Sequence, residues 1–515
     1  MSVANVASAL QAEQGGDPEA ASRYMEAAWQ AGIRFAEPML AAARFFRRAG
    51  EIERAFALYL AAAEAGLDYR KELDREELQR HPTFQRGFAF AARKKPALAP
   101  LMHFKQALNA TLPADYAFKV FNAIVPLPGS ERLETRPVRS LRTAAAEDGV
   151  VYSETAPAGE HFTARPAHFI GQSNHADLAC VTRSLYVACL EDARVRGRSG
   201  MIDFRGAALF DFEGAELERV DETFEFEPAV LRGSKEEVSI FASDTASFEV
   251  DEAFTLLGRH TPEFGHWIWE YLPKYVAATM SSSLSDLPIL VDPRIPKNHR
   301  TLLDLVRPAK ANVIEVPEFE TVRVKRLWCA PTLSYVPTYL RSLNEFWPFY
   351  AVAPAKRFAP VIHEMWRRMS PAVTLVSGSP SRIFLARKPE QHRKLVNHRA
   401  IEGIAEEFGF AIVYPQDMDI IDQLQLIRNA DRIVVPEGSG PFLGFFARPS
   451  TKMCILSPPF TLGLASYTSL LDAIGVGDVT VMTGSVAREV SPYPQFYDYA
   501  VPEDTFRAFL AEWTA

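Results

Sequence analysis

The runs Arg382-Ile-Phe-Leu-Ala386, Ala411-Ile-Val-Tyr414, Arg432-Ile-Val-Val435 and Met453-Cys-Ile-Leu456 decide the fold. Each is a short apolar stretch of the kind that lies buried on both faces of a parallel sheet. The segments between them, 400–408, 420–429 and 441–446, read as helices. Strand–helix alternation builds a parallel sheet covered on both sides, so the fold class is α/β. Such sheets bind ligands at the carboxyl ends of their strands. Chemistry is therefore expected in the loops after Ala386, Tyr414, Val435 and Leu456.

Upstream, Pro288-Ile-Leu-Val291 and Asn312-Val-Ile-Glu-Val316 read as strands flanking a helix near 298–306. From about 150 to 250, short alternating runs such as Ser184-Leu-Tyr-Val-Ala-Cys189 and Ala207-Ala-Leu-Phe-Asp-Phe212 predict strands and hairpins. Residues 70–130 look helical, and Pro126-Leu-Pro-Gly-Ser130 reads as a linker. In the first 70 residues Gly16/Gly50, Glu19/Glu53, Ala21/Ala55, Ala27/Ala61, Ala28/Ala62, Ala31/Ala65 and Gly32/Gly66 each recur 34 residues apart. That period resembles the tetratricopeptide repeat. Such helices either cap the next domain or dock a protein partner.

A chain of 515 residues exceeds one core, so two or more domains are expected. With 48% hydrophobic and 23% charged residues it folds rather than staying disordered. The net charge of -8, with no basic stripe, argues against a nucleic-acid partner. No apolar run approaches the roughly 18–20 residues of a transmembrane segment. The opening MSVANVASALQAEQ lacks the basic and apolar regions of a signal peptide. Cys180, Cys189, Cys329 and Cys454 form no CxxC pair. They suit a reducing cytosol and no structural zinc site.

Four stretches could carry chemistry. Glu437-Gly438-Ser439-Gly440, before Pro441, leaves backbone N–H groups where a diphosphate could sit. Equally, such glycines serve tight turns. Arg387-Lys388, then Gln391-His392-Arg393-Lys394 and Asn397-His398, bring positive groups to the same sheet edge. This run is either an anion site or a solvated basic loop. In Gly265-His266-Trp267-Ile268-Trp269-Glu270-Tyr271-Leu272-Pro273, His266 and Glu270 are four apart and share a helix face. They could be a base and its orienter, or members of an aromatic core helix. Asp417-Met-Asp419 could hold a metal, but its place before an apolar helix, with Asp422 three residues on, favours Asp419 as an N-cap. No metal is expected.

In this order the pieces resemble glycosyltransferase family 61 over about 250–460. Gly265, His266, Trp267, Leu272 and Pro273 match its first motif, with Glu263 where Asn is usual and Glu270 where Asp is usual. Arg387 and Asn397 match the second, with Ala386 and His398 departing. Gln423 fits a glutamine before the last helix pair. Gly438 and Gly440 match the third, with Glu437 for His and Ser439 for Ala. The resemblance implies a GT-B-like pair of Rossmann-type lobes after an all-α repeat region. The lobes would be 150–370, on the acceptor side, and 371–515, which binds the donor; 1–130 would be helical.

The resemblance further implies an inverting transfer from a nucleotide sugar to a glycan or lipid-linked glycan acceptor, in bacterial surface or capsular polysaccharide synthesis. It implies no obligatory metal or cofactor. Its setting would be cytoplasmic, including the inner-membrane periphery. His266 and Glu270 would be catalytic, His266 as base and Glu270 as its orienter, with Asp292 the next residue to consider. Arg387, Lys388, Asn397, Gln423, Glu437, Gly438, Ser439 and Gly440 would hold the donor. The alternative is a catalytically degenerate transferase fold that binds partners through its helices. A hydrolase would need a nucleophile elbow or metal cluster, and neither motif is present.

Overall fold

The computed structural model describes residues 2–33, 36–49, scattered positions from 51 to 58, and 131–515. The exceptions within the last span are 150, 165–167, 172–177, 213–226, 228, 235, 244–245, 281–282, 294, 318–319, 334–354, 375–377, 389–392, 460–470, 472–473, 477 and 490–496. The chain divides into two compact units. One comprises residues 1–138, 219–246 and 318–320. Its helices Ser2–Gln14, Pro18–Gln30 and Ala36–Arg48 follow one another closely. Asp17 caps the second by accepting the Ala20 N–H at 2.9 Å. Trp29 meets the Phe46 edge with ring centres 5.7 Å apart. Most of the second repeat unit, the 70–130 helical reading and the linker lie outside the described residues. This unit also holds an antiparallel ladder in which Glu131–Ser140 pairs with Glu237–Ser243, and Glu237–Ser243 with Val230–Gly233.

The second unit comprises residues 139–218, 247–317 and 321–515 and contains two large sheets beside two two-stranded ladders. In the first, Phe248–Thr255 lies parallel to both Ile289–Val291 and Thr321–Cys329. Val313–Glu315 extends it on the far side of Ile289–Val291. Leu185–Arg196 runs antiparallel to Thr321–Cys329 and carries the hairpins Ile202–Phe204 and Ala207–Phe210. Hence this sheet is mixed.

The second sheet is wholly parallel, in the order Ala411–Val413, Arg382–Leu385, Arg432–Pro436, Lys452–Ser457, Asp478–Thr483, His168–Ile170. Alternate residues bury opposite faces, as a period of two requires. Ile383, Leu385, Ile433, Val435 and Ile455 pack with Ile420, Leu424 and Phe442. Phe384, Val434, Cys454 and Leu456 pack with Ile401, Ile404 and Phe506. The α/β expectation and the four deciding strands are thus observed. Strand order reverses between Arg382–Leu385 and Arg432–Pro436, the first leading to the edge at Ala411–Val413 and the second toward the opposite edge. Ligands of open α/β sheets bind at such a switch point.

Among the described residues, no helix is long and apolar enough to cross a membrane. Cys189, Cys329 and Cys454 are buried thiols, and burial raises the pKa of each.

Candidate functional site

At the switch point the loops after Leu385 and Pro436 leave adjacent strands side by side. Arg387 donates from Nη1 to the Glu437 carbonyl at 3.1 Å. Gly438 has φ +140°, and a Cβ there would fall 2.8 Å from Arg387 Nη1. Glycine is therefore needed both for the backbone and for the approach of the guanidinium. Arg387, Ser439 and Gly440 line a cavity of about 320 Å³, with Gln423 on its wall. Gln423 is buried and donates to the carbonyls of Pro415 at 2.8 Å and Met418 at 3.0 Å, fixing that turn. The expected helix after the glycine loop is a 3₁₀ segment, Gly440–Phe446, too short for a full helix macrodipole.

Three other donor candidates sit differently. The Glu437 carboxylate is buried and pairs with Arg393 Nη1 at 3.2 and 3.3 Å. Lys388 pairs with Asp417. Asn397 gives its amide to the Val501 carbonyl at 2.8 Å and accepts the Val501 N–H at 3.3 Å, so it clasps backbone rather than lining the cavity. Gln391 and His392 lie outside the described residues.

The cavity's opposite wall comes from the helical segments Phe264–His266 and Lys297–Val306, which follow strands of the first sheet. Phe264, Asn298 and His299 line it. His299 donates from Nδ1 to the Thr261 carbonyl at 3.0 Å and stacks on Trp267, with ring centres 5.6 Å apart and planes 10° apart. Burial lowers its pKa to about 4, so it is neutral at physiological pH. Neither Asn298 nor His299 stands out in the sequence. The strand-end rule, applied to Ile289–Val291 as well, would have drawn attention to the helix Lys297–Val306 that carries them.

Asp292, immediately after Ile289–Val291, is fully buried. It accepts the Arg198 N–H, the Gly258 N–H at 2.9 Å and the Thr261 hydroxyl at 2.8 Å. Burial, opposed by those donors, raises its pKa to about 6. Its oxygens are occupied, so its role is to anchor the loop that holds His299.

The segment expected to be a plain helix contains a wider turn. Phe264–His266 and Leu272–Thr279 are α-helical, and Trp267–Tyr271 between them is a π-turn in which Leu272 N–H reaches the Trp267 carbonyl. Pro273 accounts for it: the residue lacks an N–H for Trp269, and its ring crowds that carbonyl. Such turns recur at functional sites. His266 Nδ1 still lies 3.0 Å from Glu270 Oε1. Because a carboxylate oxygen accepts, Nδ1 carries the proton and Nε2 keeps its lone pair.

Glu270 is 7% exposed at its side chain and His266 28%. Burial works to lower the His266 pKa, but the charge and hydrogen bond of Glu270, helped by Glu263, outweigh it and raise the value. His260 stacks on His266 at 4.5 Å, and burial, then the His266 charge, lower its pKa. His266 is thus the member of the pair that takes a proton. A methyl on Gly265 would meet the Phe442 ring at 2.8 Å and Ser439 Oγ at 3.4 Å, so this segment abuts the glycine loop.

The N-cap reading of Asp419 is corrected. Its side chain makes no cap hydrogen bond. It pairs instead with Lys297 at 2.6 Å. Asn298, on a different helix, accepts the Ile420 N–H at 3.1 Å. Because this pair is exposed, Asp419→Ala should lower stability by under about 1 kcal/mol in urea melts. Asn298→Ala should have the larger effect, about 1 kcal/mol or more, since it removes the cap.

No curated protein matches the chain. Residues 264–454 match the family model described as Glycosyltransferase 61, a span that takes in every candidate residue from His266 to Gly440 and supports a glycosyltransferase.

Proposed function

We propose that the protein is an inverting glycosyltransferase with a GT-B-like pair of lobes. It moves a sugar from a nucleotide sugar to a glycan or lipid-linked glycan acceptor during bacterial surface or capsular polysaccharide synthesis. The observation that carries this reading is the meeting of Arg387 with the 437–440 loop at the switch point of a parallel sheet, beside a cavity of about 320 Å³. The acceptor oxygen attacks the anomeric carbon as the bond to the diphosphate breaks. Its proton passes to His266 Nε2, with Glu270 holding the imidazole. Arg387 and the backbone N–H groups of the 438–440 loop receive the charge that develops on the leaving diphosphate. Neutral His299 and Gln423 shape the wall on which the nucleoside rests. The N-terminal helices dock a protein partner, and the transfer takes place at the cytoplasmic side.

Arg387→Ala should weaken nucleoside diphosphate binding by about 1.5–3 kcal/mol, the scale of a charged hydrogen bond. Calorimetry with UDP and GDP checks this; unchanged affinity for whichever binds would rule Arg387 out of the donor site. No metal is required in this scheme, so transfer should survive excess EDTA. Activity lost to EDTA and restored by Mn²⁺ would show otherwise.

A further inference from the structure

A second cavity, of about 140 Å³, adjoins the first and shares Arg387 and Pro436 with it. Its wall also carries Lys388, Arg393, Lys394, His398 and Arg488. Carboxylates answer some of these cations. Asp417 pairs with Lys388, Glu437 with Arg393, and Asp498 with Arg488 at 3.7 Å. Glu402, on the same wall, accepts the Tyr414 hydroxyl at 3.1 Å. Among the described residues no carboxylate pairs with the half-buried Lys394 ammonium.

The backbone fixes Lys394 where it stands. Its N–H donates to the buried Asp498 at 2.8 Å, and the Val396 N–H to the Tyr499 carbonyl at 2.8 Å. Arg393, one residue earlier, has φ +55°, in the left-handed region that a non-glycine residue occupies only where its surroundings hold it there. A partly desolvated ammonium without a counter-charge is unfavourable, and a bound anion would offset that. The volume suits a compact tetrahedral group, whereas a nucleoside needs the larger cavity.

We propose that this basic cavity is a second phosphate site, which holds the phosphate of a phosphate-bearing acceptor. The acceptor assignment rests on the glycosyltransferase reading and on the electrostatic reach of Arg393 to His266, the base of that reading. Phosphate held here would sit across Arg387 from the donor diphosphate.

The test is calorimetry on the full chain with inorganic phosphate, glucose 6-phosphate, and UDP or GDP. Wild type should bind phosphate about equally with and without saturating nucleoside diphosphate, and glucose 6-phosphate should compete with it. Lys394→Ala/Arg488→Ala should weaken phosphate at least about tenfold, the loss of a charged contact, and leave nucleoside diphosphate affinity within about threefold. Lys394→Ala alone serves if the double variant fails to fold. Displacement of phosphate by nucleoside diphosphate would overturn the proposal, because the cavity would then belong to the donor. Unchanged phosphate affinity in the variant would also overturn it. Binding of inorganic phosphate but not glucose 6-phosphate would overturn the acceptor source. Phosphate binding lost in the variant, in a protein that binds no nucleoside diphosphate, would support the anion site while the donor reading alone falls.

Discussion

Replacing His266 with alanine is expected to lower turnover by about 10²–10⁴-fold, the contribution of a general base, while nucleoside diphosphate affinity stays within about threefold. The geometry fixes both parts. Glu270 accepts a hydrogen bond from Nδ1–H at 3.0 Å, which leaves Nε2 to accept a proton from an acceptor hydroxyl. The diphosphate contacts proposed above lie on Arg387 and the glycine loop instead. Because Glu270 and Glu263 hold the His266 pKa above its ordinary value of 6.5, the wild-type pH–rate profile should lose activity on its acid side from above that pH. Glu270→Gln removes the larger of the two charges. The acid limb should then move to lower pH, with a fall in the maximal rate as the imidazole loses its orienter. A limb unmoved in Glu270→Gln would mean that a different group titrates. Near wild-type turnover in both variants on a true acceptor would reduce the segment to an aromatic core helix.

Asp292→Ala is expected to destabilise the second unit by about 2–5 kcal/mol at pH 7. The substitution removes the acceptor of the buried Arg198 and Gly258 N–H groups, at about 1–3 kcal/mol for each group left unsatisfied, and leaves the Thr261 hydroxyl only the Gly258 carbonyl at 3.2 Å. The pH dependence has a definite sign. The folded-state pKa is about 6 against an ordinary 3.8, so between those values the native state binds more protons than the unfolded chain. This group's contribution to stability therefore falls as pH rises through 4 to 6. The gap between wild type and Asp292→Ala should be wider at pH 5 than at pH 7, by about 1 kcal/mol. Urea melts at the two values measure it. A narrower gap at pH 5 would mean that the pocket favours the ionised form. A loosened 258–261 loop should also release His299 and weaken nucleoside diphosphate binding.

Features set by local pattern could be read from the chain. The four apolar runs from Arg382 to Leu456 are strands because a doubly covered parallel sheet requires apolar residues on both faces. The four-residue spacing of His266 and Glu270 survives as a real contact, and so does the junction of Arg387 with the glycine loop. What escaped depends on residues far apart. An Asp before an apolar helix is a reasonable cap by composition, yet the cap is supplied by Asn298, 122 residues away. Asn397 matches a motif, but its amide is taken by Val501. The wide turn at Trp267–Tyr271 had one local signal, Pro273, which was legible only as a helix disturbance. His299 gives no sign of its part in the cavity, since a lone histidine in an amphipathic helix looks like any core residue.

The strand His168–Ile170 forms the outer edge of a sheet whose other members all come from the last third of the chain. The bond from Thr483 Oγ1 to the Ile170 carbonyl closes a loop of 313 residues. At a synthesis rate of about 5–20 residues per second, the early strand waits about 15–60 s on the ribosome for the neighbour it pairs with. Meanwhile its backbone groups are open to other strands. Final assembly of this sheet thus comes after release of nearly the whole polypeptide, and contacts so distant in sequence make that step slow. A fragment starting after the Ala355–Met369 helix would present Asp478–Thr483 as a bare edge, prone to self-association. Supplying 161–181 as a separate peptide offers a way to rescue such a fragment.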